Sequence, residues 1–252
     1  MRAVYKNIKD LLKRSKFVVG LARALRGGIV DIKVVVWSAR RQRKIKSYLR
    51  TSQLKKLHIG ASEAAASNGL LQGWLNTDLM PNTSDVVYLD ATRHFPIKDN
   101  TFDYVFSEHM VEHVDYSGAL AMLQECYRVL KSGGRVRIAT PDLEVLIGLR
   151  SKEKTDSQTN YVRWITEKFM PNVHECKEVF VINNAFHAWG HRFLYDRETL
   201  RATLLNVGFR NVAFYKPGVS EDENLRGLES HGTIIQSEEI NQFETFVAEA
   251  QK

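Results

Sequence analysis

The chain has 252 residues, of which 44% are hydrophobic and 26% are charged. These proportions are ordinary for a soluble globular protein and argue against a disordered or fibrous chain. The two cysteines, Cys126 and Cys176, lie far apart and form no C-x-x-C pair. A disulfide framework or a zinc ribbon is therefore not expected, and a reducing, cytoplasmic environment is favoured.

Charge is distributed unevenly along the chain. Residues 1–56 contain 17 Lys/Arg and two acids, a balance of +15, and the other residues contain 19 Lys/Arg and 27 acids, a balance of −8. Such a basic arm suits an anionic membrane surface or another polyanion, with nucleic acid as a weaker alternative. A solvated helical face explains the same charges equally well. We expect residues 1–50 to form a basic helical extension, broken at Gly27-Gly28, and residues 51–252 to form the main domain.

The most apolar part of this arm is the segment 27–37. It is too short to span a bilayer and contains Asp31 and Lys33, so a transmembrane helix is not expected. No secretory signal pattern is recognised at the start of the sequence. We expect a cytoplasmic protein, with peripheral attachment to a membrane through an interfacial amphipathic segment as an alternative.

Beyond the arm, short apolar runs alternate with helical patterns. Strands are predicted over residues 54–60, 74–79, 86–90, 102–107, 135–140 and 211–216, and helices over 117–130, 196–207 and 237–250. Gly133-Gly134 is predicted to end the first of these helices, and Asp196 to cap the second. Residues 143–192 lose the pattern and are predicted to be an insertion that forms a lid or substrate wall. The alternation predicts an α/β fold with a doubly wound, mostly parallel sheet.

Three residues follow or end successive predicted strands. Gly60 ends the first strand, Asp78 the second and Asp90 the third. Ligands of doubly wound sheets bind beyond the carboxyl ends of the strands, where a glycine allows close approach to the backbone and a carboxylate accepts ribose hydroxyls. A carboxylate in the place of Asp90 suits an adenine amino group. Each feature also occurs as an ordinary turn or cap, but their joint order favours a nucleotide-like cofactor.

Four motifs follow in the order typical of one family. The residues 95–103 read F-P-I-K-D-N-T-F-D, Glu112-His113 follows the fourth strand, residues 128–134 read R-V-L-K-S-G-G, and Pro141-Asp142 follows the fifth strand. The run from Leu57 to Leu143 resembles the class I S-adenosylmethionine-dependent methyltransferases of the bacterial, small "type 11" kind. The resemblance implies a Rossmann-like fold, S-adenosyl-L-methionine as the cofactor, and methyl transfer as the activity.

The resemblance also implies roles for individual residues. Gly60 corresponds to the methionine site, Asp78 to the ribose site and Asp90 to the adenine site, while Ser107 and His109 line the floor at which the methyl group meets the acceptor. The implied cofactor-binding residues are Gly60, Ala61, Asp78, Leu79, Asp90, Ala91 and Ser107. The chain departs from the family pattern at its glycine-rich loop, which holds Gly60 alone. The crossover 61–73 is so short that the usual first helix is expected to be short or missing.

The run Ser107–His113 suggests two kinds of chemistry. His109 is the first candidate for a general base that removes a proton from an oxygen acceptor, and His113 is the second, because a neutral imidazole suits that role near pH 7. On a helix, His109, Glu112 and His113 share one face, which is able to hold a divalent metal. His187 or His191 is able to add a ligand. Some related methyltransferases use an E-x-x-E-H run in this way, but His109 replaces the first acid here, so we expect activity without a metal.

The acceptor is predicted by family analogy alone. Members of this subgroup are often associated with glycan assembly at the cell surface, so a sugar or lipid-linked glycan hydroxyl is expected. Trp164, Phe169, His187 and Trp189 are expected to form its pocket or, singly, to be part of the insertion core. Two other functions stay open: an NAD-dependent Rossmann oxidoreductase, disfavoured by the missing G-x-G-x-x-G, and a non-catalytic cofactor-binding module.

Overall fold

The N-terminal part of the chain is helical. The computed structural model describes the backbone of residues 16–62 and 69–252, and the side chains of residues 34–62 and 69–252. Helix α1 (Lys16–Thr51) is continuous, so the predicted break at Gly27-Gly28 is wrong. Glycine costs a helix about 1 kcal/mol relative to alanine but does not prevent it. Within the described residues, every helix is too short or too polar to cross a membrane.

The chain divides into two compact units, residues 1–44 and residues 45–252. The last turns of α1 belong to the second unit, because Ile45 is buried in its core and the Tyr48 hydroxyl donates to the carbonyls of Lys56 and Gly73. Residues 1–15 of the predicted basic arm lie outside the described residues. The boundary predicted at residue 50 stays a prediction.

A seven-stranded sheet forms the centre of the second unit, with the strand order β3-β2-β1-β4-β5-β7-β6. Neighbours among β1 to β5 pair in parallel, and β7 is antiparallel to both β5 and β6. The α/β, doubly wound and mostly parallel sheet is thus confirmed. The strands are β1 (Lys56–Ile59), β2 (Leu75–Asp78), β3 (Val87–Tyr88), β4 (Phe102–Glu108), β5 (Leu130–Pro141), β6 (Arg210–Tyr215) and β7 (Thr245–Gln251).

Helices α2 and α6 pack beside this sheet. Asp115 caps α2 by accepting from the Gly118 amide, and Asp196 caps α6 as predicted, by accepting from the Thr199 amide. Gly133-Gly134 does not end α2, which stops at Val129 where β5 begins. The buried Leu130 already pairs with β4, so the sheet starts before the glycines. The helices after α1 are α2 (Tyr116–Val129), α3 (Leu143–Gly148), α4 (Asp156–Phe169), α5 (Glu178–His187), α6 (Arg197–Val207), α7 (His231–Ile234) and α8 (Glu238–Glu244).

The predicted terminal helix over 237–250 is wrong in its second half. Helix α8 ends at Glu244, and the next residues form β7, which inserts between β5 and β6. Six consecutive residues of β7 are buried, from Thr245 to Ala250. Thr245, Phe246 and Val247 are of the β-branched and aromatic types that suit a strand covered on both faces.

Strand β5 carries a buried charge cluster. The guanidinium of Arg137 is fully buried and contacts the carboxylates of Glu229 and Glu249, which are almost as buried. Its Nε donates to Glu229 Oε1 at 2.6 Å and an Nη donates to the carbonyl of Val219 at 2.9 Å. These contacts tie the loop after β6 and the strand β7 to the middle of the sheet.

The insertion 143–192 has a core of its own. Helices α3, α4 and α5 pack with α8 through buried side chains that include Leu146, Tyr161, Ile165, Val181 and Ile240. The insertion therefore forms a folded wall beyond the carboxyl ends of β4 and β5, which is where His109 and Pro141 lie.

Candidate functional site

Gly60 lies at the carboxyl end of β1 with a left-handed φ of +89°. Its amide and that of Ala61 both donate to the carbonyl of Thr77, at 2.9 and 3.0 Å. A Cβ at position 60 would lie 3.0 Å from the Cβ and Cγ of Met110. Glycine is therefore required here for both its backbone angle and the close approach of Met110. The crossover helix that was expected to be short or missing falls largely on residues 63–68, outside the described residues.

Asp78 ends β2 as predicted. Its Oδ2 accepts from the amide of Ser62 at 3.0 Å and its Oδ1 from the amide of Met80 at 2.7 Å. A carboxylate has about four acceptor positions, so each oxygen keeps one for a further donor. Asp78 is thus oriented by the backbone and remains able to accept from two ribose hydroxyls.

Asp90 lies at the neighbouring strand end, two residues beyond Tyr88, which pairs with Asp78. Its Oδ1 accepts from both the amide and the hydroxyl of Thr92, and its Oδ2 lies 3.1 Å from Nε of the exposed Arg93. Oδ2 therefore has a position left for an adenine amino group, which would share this oxygen with the exposed Arg93.

The other predicted cofactor residues differ in exposure. Ala61 and Ala91 are buried, whereas Leu79 is 51% exposed. Ser107 is buried, and its hydroxyl finds no hydrogen-bond partner within the described part of the chain. An unpaired buried hydroxyl is costly, which makes Ser107 a candidate contact for a bound molecule.

His109 follows β4 in a left-handed backbone conformation, with φ of +43°. Its Nδ1 lies 3.3 Å from Glu112 Oε1, and its Nε2 lies 3.0 Å from the hydroxyl of Thr245. Burial opposes a charged ring, but the adjacent carboxylate of Glu112 outweighs burial and raises the pKa of His109 to about 9. The raised pKa favours the protonated ring and disfavours His109 as a neutral base, and its catalytic role stays a prediction.

Glu112 lies in a short 3₁₀ turn (Val111–His113) and is fully buried. Its Oε2 accepts from the hydroxyl of Thr140 at 3.1 Å, and its Oε1 has no hydrogen bond of good geometry among the described residues. Burial favours the neutral acid, yet the neighbouring His109 keeps the pKa of Glu112 below its usual value. A carboxylate is thus held in the interior with one oxygen incompletely paired.

His113 and His191 stand together beside this carboxylate. Their rings meet edge to face with centroids 5.1 Å apart, and ligand atoms of Glu112, His113 and His191 all lie within 4.8 Å of one another. His109 precedes the 3₁₀ turn and is not part of this trio, so the predicted helical face of residues 109, 112 and 113 is corrected. His187 is exposed at the end of α5 and is not part of it either.

A cavity of about 460 Å³ opens beside these histidines. Trp164 contacts Phe169 edge to face at 5.5 Å, and Phe169 contacts Trp189 in the same way at 5.2 Å, so three predicted wall residues form one continuous aromatic side. His187 does not line the cavity. The lining residues are His109, His113, Pro141, Leu146, Tyr161, Trp164, Ile165, Lys168, Phe169, Ala185, Trp189, His191, Leu194, His231, Ile234, Ile235 and Glu244.

A stacked histidine pair separates this cavity from Gly60. The rings of His109 and His231 lie 3.7 Å apart and nearly parallel, at 16°. Both rings line the large cavity and also a small cavity that reaches Gly60 and Glu108. Glu108 fixes the pair from the other side, because its carboxylate accepts from the amides of Ser230 and His231 at 2.9 to 3.0 Å. Sequence reasoning missed His231, since no local motif marks a residue that is brought to the site from so far along the chain.

Residues 60–138 match a family model described as a methyltransferase domain. This match covers about a third of the chain, and over that range the chain is consistent with a class I S-adenosylmethionine-dependent methyltransferase.

Three known proteins are similar to parts of this chain. An uncharacterised protein of Methanocaldococcus jannaschii is 41% identical over 54 residues, which are 21% of this chain and 23% of that protein. An S-adenosylmethionine-dependent methyltransferase from Archaeoglobus fulgidus has 17% identity and a TM-score of 0.46, over 87% of this chain and 94% of that one. Phosphoethanolamine N-methyltransferase 2 of Haemonchus contortus has 17% identity and a TM-score of 0.40, over 80% of this chain and 49% of that one. The chain thus spans about half of the Haemonchus enzyme and under a quarter of the Methanocaldococcus protein.

The described residues of this region fit S-adenosylmethionine, the cofactor that the sequence resemblance implies. Gly60 provides a backbone without a side chain at the end of β1, and Asp78 keeps a free acceptor position on each oxygen. The unpaired hydroxyl of Ser107 lies on β4, in register with Ile59 of β1, the residue that precedes Gly60.

Proposed function

We propose that the chain transfers the methyl group of S-adenosylmethionine to a hydroxyl oxygen of a small acceptor, a sugar or the glycan part of a lipid-linked sugar, bound in the aromatic cavity. One observation carries the proposal: the His109–His231 pair borders both the small cavity at Gly60 and the large cavity. A cofactor at Gly60 and an acceptor in the large cavity would therefore lie on opposite sides of these two rings, which would have to move aside for the acceptor oxygen to reach the methyl group.

The size and lining of the large cavity favour a small molecule. Its volume of about 460 Å³ lies within the range of ligand pockets, which are mostly apolar with a few polar groups that orient the ligand. Trp164, Phe169 and Trp189 provide flat apolar surfaces of the kind that pack against the C–H face of a sugar ring. Lys168 and Glu244 provide a donor and an acceptor for hydroxyl groups on the same ligand.

The chemistry requires few steps from the protein. Bound S-adenosylmethionine supplies an electrophilic methyl group. Asp78 would hold the ribose, and the walls contributed by α4 and α5 would exclude water and align the acceptor. An attacking hydroxyl must also lose its proton, and His113, which lines the cavity, is the candidate to receive it. His113, the second base predicted from the sequence, remains in this proposal, whereas His109 acts as a charged partner of Glu112.

The cofactor half of the proposal is tested by thermal unfolding. S-adenosylmethionine and S-adenosylhomocysteine should each raise the melting temperature, because a ligand that binds only the folded state stabilises it, whereas NAD should not. A shift with NAD alone would favour the oxidoreductase alternative instead.

The acceptor half is tested by transfer of a labelled methyl group. The full chain is incubated with methyl-labelled S-adenosylmethionine and separate panels of sugar nucleotides, glycolipids and amines, and the products are analysed by mass spectrometry. We expect label in O-methyl ethers of sugars. Trp189→Ala should raise KM for the acceptor, whereas Phe180→Ala, an exposed aromatic of α5 outside the cavity, should not. Cofactor binding without transfer to any panel would support the non-catalytic alternative, and label on amines alone would contradict the hydroxyl acceptor.

A further inference from the structure

We propose that Glu112, His113 and His191 bind one divalent transition-metal ion at the wall of the large cavity. The sequence favoured a protein without a metal, because the run around His109 lacks one acid. The folded chain supplies the third ligand from elsewhere, since His191 arrives from the end of the insertion. The inference concerns metal binding and does not depend on which acceptor the protein methylates, but in the metal-bound chain His113 would be a ligand and not the proton acceptor.

The trio is already close to a coordination geometry. Its ligand atoms lie within 4.8 Å of one another, whereas ligands on a common tetrahedral ion, with bonds of about 2.0 to 2.1 Å, lie about 3.4 Å apart. The side chains therefore need to close by at most about 1.4 Å. Backbone hydrogen bonds hold the segment that follows His191 against the turn that carries Glu112 and His113. The amides of Arg192 and Phe193 donate to the carbonyl of Glu112 at 2.7 and 3.2 Å.

The imidazole of His191 is fixed as metal ligands usually are. Its Nδ1 lies 2.7 Å from the carbonyl oxygen of Ala185, an atom that only accepts, so Nδ1 carries the proton. The lone pair is then on Nε2, which is free to bind a cation. Histidine ligands commonly donate their other ring N–H to a carbonyl or carboxylate, and this contact orients the ring.

Glu112 has the corresponding arrangement. The Thr140 hydroxyl donates to Oε2, while Oε1 is buried and lacks a well-formed hydrogen bond within the described residues. Apart from its 3.3 Å contact with Nδ1 of His109, this oxygen keeps an acceptor position that a cation can occupy.

The donor set indicates the class of metal. Two imidazoles and one carboxylate suit Zn²⁺ and the neighbouring first-row ions, whereas Mg²⁺ and Ca²⁺ prefer oxygen ligands alone. Three protein ligands leave at least one coordination position open, as in catalytic rather than structural zinc sites. His113 and His191 both line the large cavity, so an acceptor oxygen would be within reach of that position.

Direct metal binding tests the site. The full chain is treated with a chelator, dialysed and titrated with Zn²⁺ in a calorimeter, and bound zinc is then counted by elemental analysis. We expect one ion per chain in the wild type and no competition from millimolar Mg²⁺. His191→Gln should weaken Zn²⁺ binding by more than about tenfold, and Thr140→Val, which removes only the hydrogen bond to Glu112, by about 10- to 100-fold.

His187→Gln is the matched control, because it replaces an exposed histidine only four positions before His191. It should bind Zn²⁺ as the wild type does. Thermal unfolding of each metal-free variant shows whether it is folded, and Thr140→Val provides a test that leaves all three ligands in place. The inference is overturned if the wild type binds less than one ion per chain, or if His191→Gln and Thr140→Val bind as tightly as His187→Gln. Because the measurement is binding, a failure of the proposed methyl transfer would not affect it.

Discussion

The stability of the chain should depend on pH through the buried His58. This side chain is 2% exposed, on β1 between β2 and β4, and its Nδ1 lies 3.0 Å from Oδ1 of Asn76. Burial lowers the pKa of His58 from 6.5 to about 4, against the smaller opposing effects of the Asn76 hydrogen bond and the charge of Asp78. The ring is therefore neutral in the folded state over most of the usual pH range.

The sign and size of the effect follow from proton linkage. The unfolded chain protonates this histidine below pH 6.5 while the folded chain resists until about pH 4, so stability falls as pH decreases through that window and becomes level below it. With these two pKa values, the loss between pH 8 and pH 5 is about 2 kcal/mol. The full loss is about 3 kcal/mol, at 1.36 kcal/mol for each pH unit between the two values.

Urea unfolding of matched variants measures this loss. His58→Gln keeps an amide donor for Asn76 and does not titrate, so its stability relative to the wild type should improve by about 2 kcal/mol between pH 8 and pH 5. His174→Gln, at an exposed loop position, should show no such change. If the difference between the wild type and His58→Gln stays constant from pH 8 to pH 5, burial does not keep this ring neutral and the reasoning is wrong.

Three further predictions concern the cofactor, the core and the arm. Asp78→Asn should weaken S-adenosylmethionine binding by about 1 to 3 kcal/mol in calorimetry, because a ribose hydroxyl loses an acceptor, whereas Asp85→Asn in an exposed loop should not. Arg137→Met should lower the free energy of unfolding in urea by about 3 to 5 kcal/mol by leaving two buried carboxylates unpaired, against about 1 kcal/mol or less for the partly exposed Arg135→Met. Deleting residues 1–44 should abolish the low-salt sedimentation with anionic vesicles that we expect of the full chain; equal sedimentation of both proteins would refute an electrostatic tether.

The structure also changes how that deletion is designed. A cut after residue 50, at the boundary predicted from composition, would remove Ile45 from the core and Tyr48 from its hydrogen bonds to Lys56 and Gly73. Unfolding of such a fragment would reveal nothing about the arm. A cut after residue 44 keeps these contacts.

Local signals were sufficient to predict the parallel part of the fold. The short apolar runs before Gly60, Asp78 and Asp90 did become β1, β2 and β3. Asp78 is the last residue of β2, whereas Gly60 and Asp90 lie just after β1 and β3. Asp196 capped its helix because a cap is a contact between residues only three apart. Motifs of this kind carry their structural information within one turn or one strand.

Nonlocal contacts explain what the sequence did not reveal. Residues 245–250 were predicted to continue a helix, but in the folded sheet they pair with β5 and β6 and are buried. The sequence alone could not reveal the raised pKa of His109, because that pKa depends on the contact with Glu112 and on how deeply the fold buries both side chains. The grouping of His191 with Glu112 and His113, and of His231 with His109, was equally invisible, because these histidines are distant in sequence.

The Arg137 cluster also restricts the order in which the chain assembles. Arg137 finds its two carboxylate partners 92 and 112 residues further along. Until Glu229 and Glu249 arrive, dehydrating this guanidinium is strongly unfavourable, so the middle of β5 must stay hydrated. Contacts across such long separations form slowly because the intervening loop has to close first. We therefore expect β1 to β4 to collapse early, and the docking of β7 onto β5 to limit the rate at which the native sheet appears.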